Sequence, residues 1–211
     1  VPDYRKQPLT WTDATRWLAD TIRDAPKPVL VGSANHSNET LFAVRRYLLE
    51  GARIAAIVPL FQGETRRVKN GRGEWVSSRD AHPNSTGAKL LGLPTSDAAS
   101  LETCLRDAEG PLLVLDAHAH PWLATPAAAA ALAGRTVAVA ARTRTPLVDA
   151  ADLVLPVTSW AESEGSYTSS TGRVQVARRA LPPAGLAREP WRLVHGLGLT
   201  LGIEERSDLS P

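Results

Sequence analysis

The stretch Ala151-Asp152-Leu153-Val154-Leu155-Pro156 decides how this chain is read. Two segments come after it: Trp160-Ala161-Glu162-Ser163-Glu164-Gly165-Ser166-Tyr167-Thr168, and Gly172-Arg173-Val174-Gln175. Leu153, Val154 and Leu155 are consecutive apolar residues, which predicts a buried strand covered on both faces. Pro156 is expected to end it, because proline has no N–H to give to a ladder. The residues beyond Pro156 do not read as helix. Gly165 and Gly172, with serines and threonines between them, predict a backbone that lies close to the surface or turns sharply.

Toward the N-terminus the same alternation of strand and helix recurs. Residues 1–10 read as extended and polar. Thr10 or Thr12 is placed to cap a helix carrying Ala14, Trp17, Leu18 and Ile22 at helical spacing, stopped by Pro26 and Pro28. Val29-Leu30-Val31-Gly32-Ser33 reads as a buried strand. Ser37 or Asn38 caps a second helix with Glu39 in its first turn and Leu41, Val44, Leu48 and Leu49 on its apolar face. Gly51 is read as its C-cap, and Ile54-Ala55-Ala56-Ile57-Val58 as the next strand. Strand, helix and strand in so short a span form a βαβ unit, hence parallel strands and a right-handed crossover.

Residues 59–97 read as irregular, with a surface turn at Lys69-Asn70-Gly71-Arg72-Gly73 and a loop entering a short helix from His82 to Gly92. Beyond them, Leu101, Cys104 and Leu105 mark a helix and Leu112-Val114-Leu115 a strand. An alanine-rich helix at 127–132 follows Pro126, which suits the first helical position. Val137 to Ala140 is a strand, 146–150 a turn, and 189–201 a last helix. The fold class is therefore α/β: a Rossmann-like, mostly parallel sheet with helices on both faces. Residues 1–158 are expected to form this lobe, and residues 159–211 an extended segment and helix packed on it.

Composition narrows the function classes. The chain has 211 residues, 43% hydrophobic and 22% charged, enough for one generous core. Lys and Arg number 24 against 22 Asp and Glu, and the basic residues are scattered. No nucleic-acid surface is expected from this balance. The six tryptophans are spread too widely for a base-stacking platform. Cys104 is the single cysteine, so an internal disulfide and an all-cysteine metal or cluster site are excluded. No apolar run approaches the roughly 20 residues that span a bilayer. The chain contains no methionine, and it is read as an internal piece of a longer protein.

The order Ala151, Asp152, Val154, Leu155, Pro156, Glu162, Gly165, Thr168, Gly172, Arg173, Val174, Gln175 resembles the molybdopterin oxidoreductase superfamily. Within it, the chain is most similar to the large iron–sulfur subunit of NADH:quinone oxidoreductase, respiratory complex I. The likeness continues through Ala180-Leu181-Pro182-Pro183, Ala187-Arg188, Trp191 and Leu201-Gly202. It is weaker from 8 to 58 and at Asn84, Gly87 and Gly92. The longer enzymes of the superfamily insert a second α/β domain between the first βαβ unit and the Asn84 segment. Here residues 59–81 are too few for a domain. The resemblance therefore implies a structural, cofactor-less lobe whose parent protein carries iron–sulfur clusters in N-terminal domains. It also implies partners among the other peripheral-arm subunits, and a place on the cytoplasmic side of the bacterial inner membrane, peripheral rather than inserted.

Each candidate for chemistry has a plainer alternative. Asp116-Ala117-His118-Ala119-His120 follows a strand and carries the His-x-His spacing of a zinc site in an amidohydrolase barrel. Such a barrel needs about 250 residues, so the alternative is a polar loop at the sheet's carboxyl edge. Glu162 and Glu164 with Arg173 read either as an acid pair with a cation, suited to proton transfer, or as a loop fixed by Glu162 accepting backbone N–H bonds and pairing with Arg173. Asn84 and Gly87 read as contacts for a pterin phosphate or as an ordinary helix start. Gly32 to Asn38 lies between strand and helix but has neither dinucleotide nor triphosphate glycine spacing. With Gly165, the pterin-cleft set is Asn84, Gly87, Glu162, Gly165 and Arg173. Cys104 reads as core, and His195 as packing or surface. Two other function classes stay open: part of an active molybdopterin enzyme such as a formate dehydrogenase, and a metal-dependent hydrolase using His118 and His120.

Overall fold

A computed structural model describes residues 1–60, 62–70, 72–115 and 125–204. The chain begins with a tight pair of strands, β1 (Asp3–Tyr4) and β2 (Gln7–Pro8), then α1 (Trp11–Arg23). Thr10 caps α1, its side chain accepting from the Asp13 N–H at 3.1 Å. Trp11, Ala14, Leu18, Ala19 and Ile22 are the buried face of this helix. β3 (Val29–Val31) is buried throughout. Ser37 caps α2 (Asn38–Ala43), which runs on as a π-helical segment from Val44 to Gly51 and leads to β4 (Ala55–Pro59).

Where the sequence reads as irregular, the chain forms a hairpin, β5 (Gln62–Lys69) and β6 (Trp75–Asp80). The reading fails here because a ribbon with no face in the core has no reason to alternate apolar and polar residues. Next come α3 (Ser85–Leu90), β7 (Thr95–Ser96), α4 (Ala98–Asp107), β8 (Leu112–Leu115), α5 (Pro126–Ala131) and β9 (Val137–Ala141). The expected turn at 146–150 is a short helix, α6 (Pro146–Ala150), capped by the Thr145 side chain. β10 (Leu153–Pro156), a second hairpin of β11 (Gly165–Thr168) and β12 (Val174–Ala177), and α7 (Pro190–Thr200) follow.

Among the described residues the main sheet has eight strands, in the order β2-β1-β10-β9-β8-β3-β4-β7. β10, β9, β8, β3, β4 and β7 pair in parallel; β1 joins β10 antiparallel. The chain starts the parallel sheet in its middle at β3, runs outward to β7, then crosses back to β8 on β3's other side. That reversal is a topological switch point, where α/β folds open a crevice at the carboxyl ends of their strands.

Alternate residues of each strand feed two cores. Leu30, Leu113, Leu115, Ala138, Ala140, Leu153 and Leu155 pack with α1, α2 and α7. Val31, Val114, Val137 and Val139 face the other way, against Leu101 and Leu105 of α4, Leu132 and Leu147. The fold is thus α/β, with a mostly parallel sheet and helices on both faces.

Two local expectations are corrected. β10 is not covered equally on both faces: Leu153 and Leu155 are fully buried, whereas Val154 and Pro156 are only partly so. Gly51 does not close its helix in a left-handed conformation; Arg53, with φ of 55°, takes that role in the turn. Gly51 is needed for a different reason. A β-carbon there would sit 2.8 Å from the Ile203 side chain.

Candidate functional site: the carboxyl edge of the sheet

The loop leaving β3, residues 32–37, and the segment leaving β10, residues 157–164, meet at the switch-point end of the sheet. With Arg142 after β9, Tyr167 of β11 and the start of α7, they line a crevice of about 30 Å³. A second hollow of about 350 Å³, lined by Glu39, Gly165, Ser166, Arg179 and Arg192, adjoins it and shares Glu164, Glu189 and Trp191 with it. Pockets that take whole organic ligands run to about 300–1,000 Å³.

Asn84 stands behind this edge, fully buried at the start of α3. Its amide nitrogen donates to the His36 carbonyl at 2.9 Å, and its amide oxygen accepts from the Thr168 N–H at 2.9 Å. Its own backbone N–H donates to the Ala34 carbonyl. One side chain thereby ties the β3–α2 loop to β11. Gly87 lies one helical turn on, and a β-carbon there would overlap the side-chain oxygens of Asn84 and Asn38.

Gly165 serves the same junction from the other side. A β-carbon on it would lie 2.6 Å from Ser37 Cβ and 2.8 Å from a Glu39 carboxylate oxygen. Its absence lets β11 approach the N-terminus of α2. There Glu39 accepts from the Ser166 backbone N–H at 2.9 Å and from its hydroxyl at 2.7 Å. The Asn38 amide donates to Ser166 Oγ at 3.1 Å, and Thr168 Oγ1 donates to Asn38 Oδ1 at 3.2 Å. Burial opposes ionisation of Glu39, but the Ser166 hydrogen bonds outweigh it and hold the carboxyl below the ordinary glutamate range.

Glu162 closes a capping box with Ser159, accepting from its N–H at 2.8 Å, and also accepts from the Ala184 N–H at 2.9 Å. The Ser159 bonds, then the Ala184 bond and the charge of Arg142, depress its pKa. Arg173 is not part of this arrangement. It sits exposed beside Gly172 (φ 80°) at the far turn of the β11–β12 hairpin, and makes no pair with Glu162. The physical reason is reach: β11 carries the chain away from the 3₁₀ turn at Trp160–Glu162 before Arg173 is met. Glu164 lines the crevice, but its backbone N–H is spent on Glu189.

The structure thus brings Asn84, Gly87 and Gly165 to one junction, puts Glu162 in a neighbouring turn and separates Arg173. His118 and His120 lie outside the described residues. Among the described residues no group of three His, Cys, Asp or Glu side chains is arranged to hold a metal ion. Cys104 is half-buried on α4 against the second core, and the His195 ring lies 5.2 Å from that of Tyr47.

Glu189 was not legible as a site residue. It precedes Pro190 at the start of α7, is only 5% exposed, and gathers Arg179 (3.0 Å), Arg192 (2.9 Å) and the Glu164 N–H (3.2 Å). Burial alone would raise its pKa; Arg192, Glu164 and Arg179 together lower it. The Glu-Pro pair opening a helix was the available signal, but nothing local announces its burial. Asp152 of the opening stretch is likewise structural. It accepts from the Val137 N–H at 3.0 Å and pairs with Arg5 at 3.2 Å, holding β1 to β10.

Residues 121–198 match the family model of the molybdopterin oxidoreductases. This chain carries a molybdopterin oxidoreductase domain. The resemblance read from Ala151 to Gly202 holds, and relatives extend the family likeness across most of the chain. The G subunit of the NADH-quinone oxidoreductase of Pseudomonas putida is 30% identical over 190 residues, covering 87% of this chain and 19% of that protein. The alpha subunit of the F420-dependent formate dehydrogenase of Methanocaldococcus jannaschii is 41% identical over 56 residues, 26% of this chain and 8% of that one. The mitochondrial NADH-ubiquinone oxidoreductase 78 kDa subunit of Candida albicans is 43% identical over 47 residues, 22% of this chain and 6% of the relative. The chain therefore spans about a fifth of the length of the bacterial G subunits it matches. Among solved structures, acetylene hydratase from Pelobacter acetylenicus superposes with a TM-score of 0.39 at 20% identity, over 50% of this chain and 16% of its own.

Proposed function

We propose that this chain is a structural, cofactor-less lobe of the large iron–sulfur subunit of an NADH:quinone oxidoreductase. The observation that carries the reading is the fate of Asn84. Both ends of its amide are consumed in joining the β3–α2 loop to β11, and Gly87 and Gly165 are small because that junction is tight. Polar groups that would have to turn toward a pterin are instead turned inward. The crevice lined by residues 35–37 and 157–164 is small, about 30 Å³, which supports the reading; the hollow of about 350 Å³ beside Gly165 and Ser166 is where a ligand would have to sit if the reading fails.

In this reading the lobe helps shape a peripheral arm and contacts neighbouring subunits. Electrons pass through clusters held elsewhere in the parent protein, on the cytoplasmic side of a membrane. The 30% identity to a bacterial G subunit over 87% of this chain supports it. Among the described residues no helix is long and apolar enough to cross a membrane.

The second reading, part of an active molybdopterin enzyme, is favoured by the 41% identity to a formate dehydrogenase alpha subunit over 56 residues. Elemental and pterin analysis of the intact parent protein separates the two. We expect iron and acid-labile sulfide without molybdenum, tungsten or pterin. Stoichiometric molybdenum or tungsten with bound pterin would overturn the proposal.

A further inference from the structure

Among the described residues, none of the β5–β6 hairpin joins either hydrophobic core. A two-stranded ribbon alone is marginally stable in water. This one presents a face with a specific composition. Lys69 pairs with Trp75 and Arg67 with Ser77 across the ribbon, so these four side chains share a face, and alternation along β6 adds Arg79. All five residues are exposed, whereas Val68 and Ser78 of the opposite face are partly covered.

Trp75 is 59% exposed. The Arg67 guanidinium lies 5.7 Å and the Lys69 ammonium 5.4 Å from its ring centroid. Cations over an indole hold it in place and keep their own charge available. Several arginines elsewhere meet carboxylates, as Arg5 meets Asp152, Arg45 meets Glu50 and Arg144 meets Asp149, while among the described residues Arg53, Arg173 and Arg178 do not. Among the described residues Arg66, Arg67, Lys69, Arg72 and Arg79 form no ion pair. Of the hairpin's three carboxylates, Glu74 accepts from the Asn70 amide and Asp80 from Ser85 and the His82 N–H, and among the described residues Glu64 pairs with none of these cations.

We propose that the face formed by Arg67, Lys69, Trp75 and Arg79 docks an acidic surface segment of a protein partner. Charge complementarity selects the partner, and the tryptophan supplies the large aromatic anchor that dominates such contacts. A single indole cannot stack successive bases, which disfavours a nucleic-acid strand. The face also lacks the apolar area that would seat it in a lipid interface. The proposal stands independently of the role assigned to the lobe above.

The test uses the full chain and a fluorescein-labelled glutamate-rich peptide containing leucines. A lysine-for-glutamate counterpart, a single-stranded oligonucleotide of equal charge and phosphatidylserine vesicles are run beside it. The glutamate peptide should bind in low salt and weaken as salt is raised. Trp75→Ser and the double variant Arg67→Ser/Lys69→Ser should each weaken it by about tenfold or more, the scale of a lost anchor. Unchanged thermal midpoints show that the variants remain folded. Carbodiimide coupling should join the peptide to Lys69, read by mass spectrometry. Absence of peptide binding, equal binding by the variants, or tighter binding of the oligonucleotide or vesicles through the same residues would each overturn the proposal.

Discussion

The Thr168 backbone N–H donates to the Asn84 side-chain oxygen at 2.9 Å across 84 residues of sequence, and the bond is buried. It fixes the second hairpin to the helix start that follows the first. An unmet buried polar group costs about 1–3 kcal/mol. Asn84→Ala removes two buried bonds, the acceptor of the Thr168 N–H and a donor to the His36 carbonyl. We expect a stability loss of about 2–4 kcal/mol on that basis, read from the midpoint of urea unfolding. Ser77→Ala, on the exposed ribbon, should stay within about 0.5 kcal/mol of the parent. Equal midpoints for the two variants would refute the clamp.

Gly165 and Gly172 should respond differently to the same change. At Gly165 φ is not in the left-handed region, but a β-carbon meets Ser37 and Glu39. Gly165→Ala should cost about 1–3 kcal/mol through overpacking, and Gly165→Ser more. At Gly172 nothing lies within 4 Å of an added β-carbon, yet φ is +80°. There Gly172→Asn should be milder than Gly172→Ala, because asparagine tolerates that conformation better. Calorimetric midpoints of the four variants check the pattern, and a Gly172→Asn variant no more stable than Gly172→Ala would contradict it.

Acid should loosen the lobe, and the sign follows from proton counting. Glu39, Glu162 and Glu189 have folded pKa values below the ordinary one, so their stabilisation is complete above the unfolded value of about 4.3. It fades as pH falls through the folded values. His82 is depressed by burial, against the opposing charge of Asp80, so the unfolded chain also takes up the proton first on descending below about 6.5. Unfolding free energy should therefore fall between pH 7 and 5, then more steeply below about 4.3. Glu189→Gln should flatten the lower limb. A profile flat from about pH 7 to about pH 3 would contradict the assignment.

Burial, then the charge of Asp107, pushes the Cys104 thiol above its ordinary pKa. Iodoacetamide should modify it slowly near neutral pH, with a rate-against-pH inflection above the roughly 8.5 of a free cysteine. An inflection at or below that value would mark an activated thiolate instead.

The strands of the parallel sheet were legible because each is a short apolar run bounded by breakers, as at Val29–Val31 and Leu153–Leu155. The helix starts were legible to within a pair of candidates each, Thr10 or Thr12 and Ser37 or Asn38, because such side chains compete with the backbone for the first helical N–H groups; the structure uses Thr10 and Ser37. The β5–β6 ribbon was not, since neither of its faces is in the core. Glu162 was recognisable as a residue that matters. What it holds, the Ser159 and Ala184 N–H groups, depends on the path of a loop with no periodicity. Arg173 was assigned to the wrong neighbourhood because sequence spacing does not report how far a hairpin travels. Glu39 and Glu189 looked like ordinary helix-start carboxylates, and only the tertiary fold brings Ser166 to one and Arg179 to the other.

The junction at Glu39 and Ser166 joins positions 127 apart in the chain. On the ribosome the first of these emerges long before the second, so the early loop must idle without its mate. Loop closure over such a span is slow compared with forming a helix or a local hairpin. The lobe should therefore complete its assembly in a late, all-at-once step when residues 165–168 arrive, and a ribosome-bound chain halted short of them should remain open to protease around residues 33–38.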